Sequence, residues 1–188
     1  MTWIVTYTGK RFYPLAPRAE DVDIRDIAHA LSLTCRFSGH TPWLYSVAQH
    51  SVLCATLVPQ ELRIHALLHD AAEAYLFDAA RPIKGRIYLD ASGNADTLDS
   101  LDDMVDVEET IDCAVYEALG IDNIRADDWL HVLRADAEML SAEADRFFSP
   151  REDWMLTAPP ADVRIVQAEP AETERAFMGA FADYMGLR

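Results

Sequence analysis

A chain of 188 residues can enclose one full-sized core and little more, and with 51 % apolar residues it leaves disorder only to loops. Its 32 acidic and 16 basic residues give a formal net charge of −16. Such a surface repels nucleic-acid polymers and anionic membranes unless a basic patch overrides it, yet a metal ion with a few Arg or Lys can invert the field locally for a small phosphorylated substrate.

Residues 3–13 alternate loosely, with Trp3, Val5, Tyr7 and Phe12 around Thr8-Gly9, which predicts a small β-hairpin. From Asp23 the period changes. Ile24, Ile27, Ala28, Leu31 and Cys35 follow helical spacing, with Asp21 or Asp23 as the cap. A loop with Gly39 and Pro42 leads to Ser46, which opens a helix with Gln49 three residues on, a capping-box pattern. The inner stripe of that helix is Val47, His50, Cys54 and Leu57 or Val58, and Pro59 ends it. A third helix is expected over about 61–77. Residues 89–103, acidic and containing Ser92-Gly93-Asn94, read as a surface loop. A fourth helix, about 104–119, stops at Gly120. A fifth, about 127–148, has the stripe Trp129, Val132, Leu133, Asp136, Leu140 and Phe147. Residues 149–169, with Pro150, Pro159 and Pro160, read as mostly extended loop, and a last helix, about 171–185, turns Phe177, Phe181 and Tyr184 inward.

The expected fold is therefore all-α: a single helical domain over 1–188, its core about 24–148, with at most a small N-terminal hairpin. Cys35, Cys54 and Cys113 form no CxxC pair and read as reduced thiols of an intracellular protein. No segment approaches the ~20 apolar residues of a membrane span. A soluble, cytoplasmic protein without a membrane or nucleic-acid partner is expected, and a homo-oligomer is compatible with the sequence.

Three features conflict with a plain helical core. His50 and Asp136 sit inside apolar stripes, and His69-Asp70 interrupts Ala66-Leu67-Leu68 and Ala71-Ala72. A buried carboxylate without a partner is costly. One such residue is ordinarily a satisfied core polar group; two histidines and two aspartates on three helices point to a divalent metal, which would neutralise both aspartates.

The series His50, His69-Asp70 and Asp136 resembles the HD-domain superfamily of metal-dependent phosphohydrolases. The run Leu67-Leu68-His69-Asp70-Ala71-Ala72-Glu73-Ala74, then Asp78-Ala79-Ala80-Arg81-Pro82-Ile83-Lys84, resembles its small deoxynucleotidase branch. That branch shows a Glu three residues after the HD aspartate, an Asp eight after it and a following Pro-x-Lys. Tyr45-Ser46-Val47-Ala48-Gln49-His50-Ser51 matches its first ligand helix, and Arg36-Phe37 its nucleotide-contacting Arg-aromatic pair. The likeness covers roughly residues 24–148.

The resemblance implies a helical bundle holding one divalent ion (Mn²⁺, Co²⁺ or Zn²⁺, with Mg²⁺ admissible as a second) on His50, His69, Asp70 and Asp136. It implies Glu73 as general acid/base on metal-bound water, and Asp78 at the sugar 3′-hydroxyl or the attacking water. A surface Glu and a helix-end Asp are the competing readings. Arg36 and Lys84 would grip phosphate, with Arg81 a weaker third choice, and Phe37 would meet the nucleoside. His40 could reach phosphate from its loop. His65, four residues before His69, reads as a neighbour of the site; His29 and His131 as ordinary histidines; Glu143, two turns after Asp136, as a packing or salt-bridge residue. The expected activity is removal of 5′-phosphate groups from 2′-deoxynucleotides. A dATP-type triphosphohydrolase releasing triphosphate, a non-catalytic nucleotide sensor and a purely structural metal site are the alternatives. Retention of Glu73 and Asp78 speaks against the sensor, and the lack of a closed Cys/His set against the structural site.

Overall fold

The computed structural model describes residues 2–80, 84, 88–90, 101–148, 154 and 156–187. Arg81, Pro82, Ile83, Ser92-Gly93-Asn94 and Pro150 lie outside them. The expected N-terminal hairpin forms from β1 (Ile4–Val5) and β2 (Arg11–Phe12), antiparallel, with Ile4 opposite Phe12. Gly9, at φ 87°, supplies the left-handed residue of its turn. The hairpin is tied down by Asp26, whose buried carboxylate accepts from the Thr8 backbone N–H at 2.6 Å and from the Thr8 hydroxyl at 2.9 Å.

Helix α1 (Ile24–Leu33) is capped by Asp23, which accepts from the Arg25 N–H. It ends at Thr34, so Cys35 falls outside the helical stripe expected for it and pairs instead with Ser46 in an isolated bridge. Helix α2 (Val47–Thr56) starts at Ser46, whose hydroxyl accepts from the Gln49 N–H at 3.2 Å. Only half of the capping box forms, because the Gln49 side chain donates to the Val166 carbonyl at 2.8 Å.

The third helix departs most from expectation. Instead of one helix over 61–77 there is a short α3 (Arg63–Leu68) between 3₁₀ turns at Gln60–Leu62 and Ala71–Ala74. His69 Nδ1 takes the Ala66 carbonyl at 2.8 Å, and Asp70 leaves helical geometry at φ −109°, ψ 22°. A side chain that competes for a helix carbonyl weakens the ladder at that point.

Two strands, β3 (Tyr88–Asp90) and β4 (Leu101–Asp103), pair antiparallel where a loop was expected. Helix α4 (Met104–Leu119) ends at Gly120, with φ 64°. Helix α5 (Ala126–Phe147) turns Val132, Ala135, Met139 and Ala142 inward. Leu133, expected in that stripe, is 48 % exposed, since it sits ~100° round the helix from Val132. Helix α6 (Pro170–Tyr184) opens with a reciprocal Glu169/Glu172 capping box and buries Phe177 and Phe181, while Tyr184 is half-buried.

The main core lies among α1, α2, α3 and α6, where Ile27, Leu31, Val47, Leu67 and Phe177 have no exposure. Each such side chain contributes about 1.5–3 kcal/mol of burial. Phe12 stacks on Tyr75 at 3.7 Å, docking the hairpin beside the second 3₁₀ turn. A smaller cluster of Tyr45, Cys54, Met139 and Ile165 joins α2 to α5. Among the described residues no helix is long and apolar enough to cross a membrane.

Candidate metal centre and cavity

The helical packing brings α2, the end of α3 and α5 to one point. His50 lies on the buried face of α2, and Glu143, fully buried on α5, fixes its ring. Glu143 Oε1 stands 2.6 Å from His50 Nδ1 and accepts the Tyr45 hydroxyl at 2.8 Å, while Oε2 accepts from Arg36 Nη2 at 2.9 Å. Burial alone would raise the Glu143 pKa; the Arg36 and His50 charges and these donors bring it below the ordinary value. A carboxylate can only accept, so Nδ1 carries a proton and His50 Nε2 is turned toward Asp136 Oδ1 at 3.2 Å and Asp70 Oδ2 at 3.9 Å. Burial and Arg36 push the His50 pKa down, but Cys54, Glu143 and Asp136 override them and raise it. Burial would raise Asp136, and its hydrogen bond to His50 instead holds it well below the carboxylate range.

His69 gives the sharper signal. Its Nδ1 donates to the Ala66 carbonyl, which in the neutral ring leaves the lone pair on Nε2. That nitrogen is buried and has no hydrogen-bond partner, although Asp70 Oδ2 is 3.3 Å away and Asp136 Oδ1 4.0 Å. Lone pairs and carboxylate oxygens crowded together repel one another unless a cation sits among them. The donors suit a divalent ion, and the outer hydrogen bonds to Glu143 and Ala66 fix the ring orientations as they do for metal-binding histidines. Ligand atoms of His50, Cys54, His69 and Asp136 all lie within 4.8 Å of one another. Cys54 Sγ is 3.3 Å from His50 Nε2.

This cluster adjoins a cavity of about 970 Å³. Its lining includes the charged groups of Asp70, Asp136, Glu73, Asp78, Lys84 and Arg36. It also includes the aromatic rings of Phe37, Phe148 and Trp154, with Phe37 5.1 Å from Phe148 and Phe148 stacked on Trp154 at 5.0 Å. Phe37 and Ser38, at φ 56° and 51°, occupy the left-handed region, followed by Gly39 at 79°. Left-handed conformations are uncommon for residues other than Gly and concentrate at functional sites. His40 also lines the cavity.

Glu73 is brought in by the second 3₁₀ turn. Burial, with Asp70 and Asp78 nearby, raises its pKa far above the carboxylate range, against the pull of Lys84 Nζ 3.8 Å from Oε1. Glu73 Oε2 is buried without a hydrogen-bond partner. Lys84 is also held by Glu108 Oε2 at 2.9 Å. Burial is the main cause of the raised Asp78 pKa, with Asp70 adding to it. Asp112, on α4, is pushed up to about 8 by burial and by Asp70 and Glu108, while it accepts from the Ala72 backbone.

The structure thus gathers His50, His69, Asp70 and Asp136 at one point, and places Glu73, Asp78, Arg36, Phe37, Lys84 and His40 on the adjoining cavity. Arg36 is already engaged by Glu143 and lies 3.6 Å from Asp70 Oδ2. His65 stands apart from the ligand group, with its Nδ1 3.2 Å from the Tyr116 hydroxyl. His29 pairs with Glu174 at 3.1 Å and His131 is exposed. Sequence reasoning gave Glu143 only a packing or salt-bridge role; its place two turns from Asp136 was the available signal. It missed Asp112, Glu108, Phe148 and Trp154, which no periodicity distinguishes.

Comparison with known proteins finds relatives along the whole chain. It is 37 % identical over 192 residues to the uncharacterized protein YfdR of Escherichia coli K12, with 100 % of this chain and 98 % of YfdR covered. It is 33 % identical over 190 residues to the uncharacterized protein RCAP_rcc00048 of Rhodobacter capsulatus, covering 86 % of this chain and 90 % of that protein. No family model matches the chain.

Proposed function

The chain belongs to the family of Escherichia coli YfdR, and for this member we propose a divalent-metal-dependent phosphohydrolase that removes 5′-phosphate groups from 2′-deoxynucleotides. The observation that carries the reading is the buried, unpartnered His69 Nε2 beside two aspartates at the edge of a cavity that also holds basic side chains. The resemblance of the His50, His69-Asp70, Asp136 series to HD-domain phosphohydrolases supports it. So does the presence of Glu73, Asp78 and Lys84 on that one cavity.

His50, His69, Asp70 and Asp136 would hold the ion. A divalent ion there supplies positive charge for phosphate oxygens and lowers the pKa of water. The chain's own groups do the rest. Lys84, held between Glu73 and Glu108, offers an ammonium to the phosphate, and Arg36 contributes its charge beside Asp70. Phosphoryl transfer depends mainly on such positioning and charge stabilisation. Glu73, at Oε2, holds or moves the proton that the reaction exchanges between water and the leaving 5′-oxygen. Its raised pKa makes the protonated form the resting one before a cation binds nearby. Phe148 and Trp154, stacked on each other, and Phe37, edge-on to both, give the base an apolar aromatic surface, and Asp78 accepts from the sugar 3′-hydroxyl.

The test is a panel of deoxy- and ribonucleoside mono-, di- and triphosphates with Mn²⁺, Co²⁺, Zn²⁺ and Mg²⁺, with products separated by chromatography. Release of inorganic phosphate from deoxynucleotides, favoured over ribonucleotides by roughly 10²-fold in kcat/KM, is expected. Release of triphosphate would replace the reading with the triphosphohydrolase. Nucleotide binding without any hydrolysis would replace it with a sensor.

A further inference from the structure

We infer that Cys54 is a further ligand of the same metal ion, so that a thiolate joins the two imidazoles and two carboxylates of His50, His69, Asp70 and Asp136 and the centre favours Zn²⁺ or Co²⁺ over Mg²⁺. The inference rests on reading this cluster as a metal centre and specifies which ion it selects.

His50 and Cys54 are four residues apart on α2 and therefore project from one face. Cys54 is 1 % exposed, with its sulfur 3.3 Å from His50 Nε2, the nitrogen turned toward Asp136. Donors around a tetrahedral ion with bonds of ~2.0–2.3 Å lie ~3.3–3.8 Å apart. The His50–Cys54 and His50–Asp136 pairs are already that close, at 3.3 and 3.2 Å, and the rest of the group, within 4.8 Å, closes by about 1 Å on taking up an ion.

A buried thiol beside Tyr45, Met139 and Ile165 would by itself be ordinary packing. The independent observation is His69. Its side chain is only 7 % exposed, its Nδ1 is committed to Ala66, and its Nε2 has no hydrogen-bond partner within the same small group. Asp70, 3.3 Å from that nitrogen and 3.6 Å from Arg36, is then the ligand shared with the cavity.

Binding forms a sulfur–metal bond and releases the thiol proton to solvent. A thiolate with two imidazoles selects borderline, softer ions, whereas an all-oxygen site suits Mg²⁺.

The experiment is optical. The metal-free full chain is titrated with Co²⁺, and near-ultraviolet thiolate-to-cobalt charge-transfer absorption is recorded. The band is expected at one ion per chain in the wild type and in C35S/C113S, whose only thiol is Cys54. It should vanish in C54S and C54A, with Zn²⁺ affinity falling by ~10-fold or more. Because C35S/C113S leaves Cys54 intact, the decision does not depend on how the Cys54 variants fold. Stoichiometric Co²⁺ binding without the band, or a band lost in C35S/C113S, overturns the role of Cys54 and leaves the metal centre standing. No binding of Co²⁺ or Zn²⁺ overturns both.

Discussion

Glu143 has no exposure and serves three partners, so its removal should be costly twice over. Glu143→Ala leaves the Arg36 guanidinium buried beside an empty position and frees the His50 ring to turn. Breaking a buried pair by deleting one partner costs about 3–5 kcal/mol, and losing an orienting partner of a metal histidine weakens metal binding by about 10–100-fold. Denaturant unfolding of the metal-free protein and a metal titration measure the two separately. A stability loss below ~1 kcal/mol would mean that Arg36 finds another counter-charge. At this scale the sequence was informative where chemistry broke a pattern. His50, His69, Asp70 and Asp136 stand out because polar groups interrupt apolar stripes. Cys54 did not, since a thiol in such a stripe looks like any small core residue. Nor did Glu143, which the amphipathic pattern of α5 left with only the role of a salt-bridge partner.

Between elements, Asp112 links α4 to the Ala71–Ala74 turn by accepting from the Ala72 backbone. With its pKa raised from 3.8 to about 8, the native chain keeps a proton there that the unfolded chain loses above about pH 4. The native state thus binds more protons between those values, and this group makes stability fall as pH rises from 4 toward 8. Asp112→Asn removes the titration. In metal-free protein it should flatten that slope and raise stability at pH 8 by roughly 1 kcal/mol or more relative to pH 5. Denaturation midpoints at the two pH values check it; parallel changes in both proteins would remove Asp112 as the cause. Helix positions were largely legible: α4 and its Gly120 stop, α2 and its Ser46 cap, and α6 fall where capping and periodicity put them. The break after Leu68 was not, because Ala and Leu favour helix throughout that segment and the competition comes from one histidine side chain. The β3–β4 pair was hidden in an acidic stretch without alternation.

Over the whole molecule, a net charge of −16 surrounds a cavity whose own wall includes Asp70, Glu73, Asp78 and Asp136. The proposed nucleotide substrate, an anion, would approach against this field, which reaches ~30 Å at 0.01 M salt and ~8 Å at 0.15 M. For the proposed activity, kcat/KM on a nucleotide should therefore rise with ionic strength over that range, the reverse of electrostatic steering. A fall would show that Arg36 and Lys84, with the ion, dominate the approach path as well as the site. The mainly helical class followed from periodicity, whereas the cavity's aromatic lining did not. Phe148 and Trp154 reach it from beyond the end of α5, and no local pattern shows that they meet Phe37. That meeting gives the molecule a built-in optical gauge. Of its four tryptophans, Trp154 is the one on the cavity wall, stacked edge to face with Phe37 and alongside Phe148. Light emitted from that indole changes when anything lies against it, so occupancy can be watched as it happens, before any bond is broken.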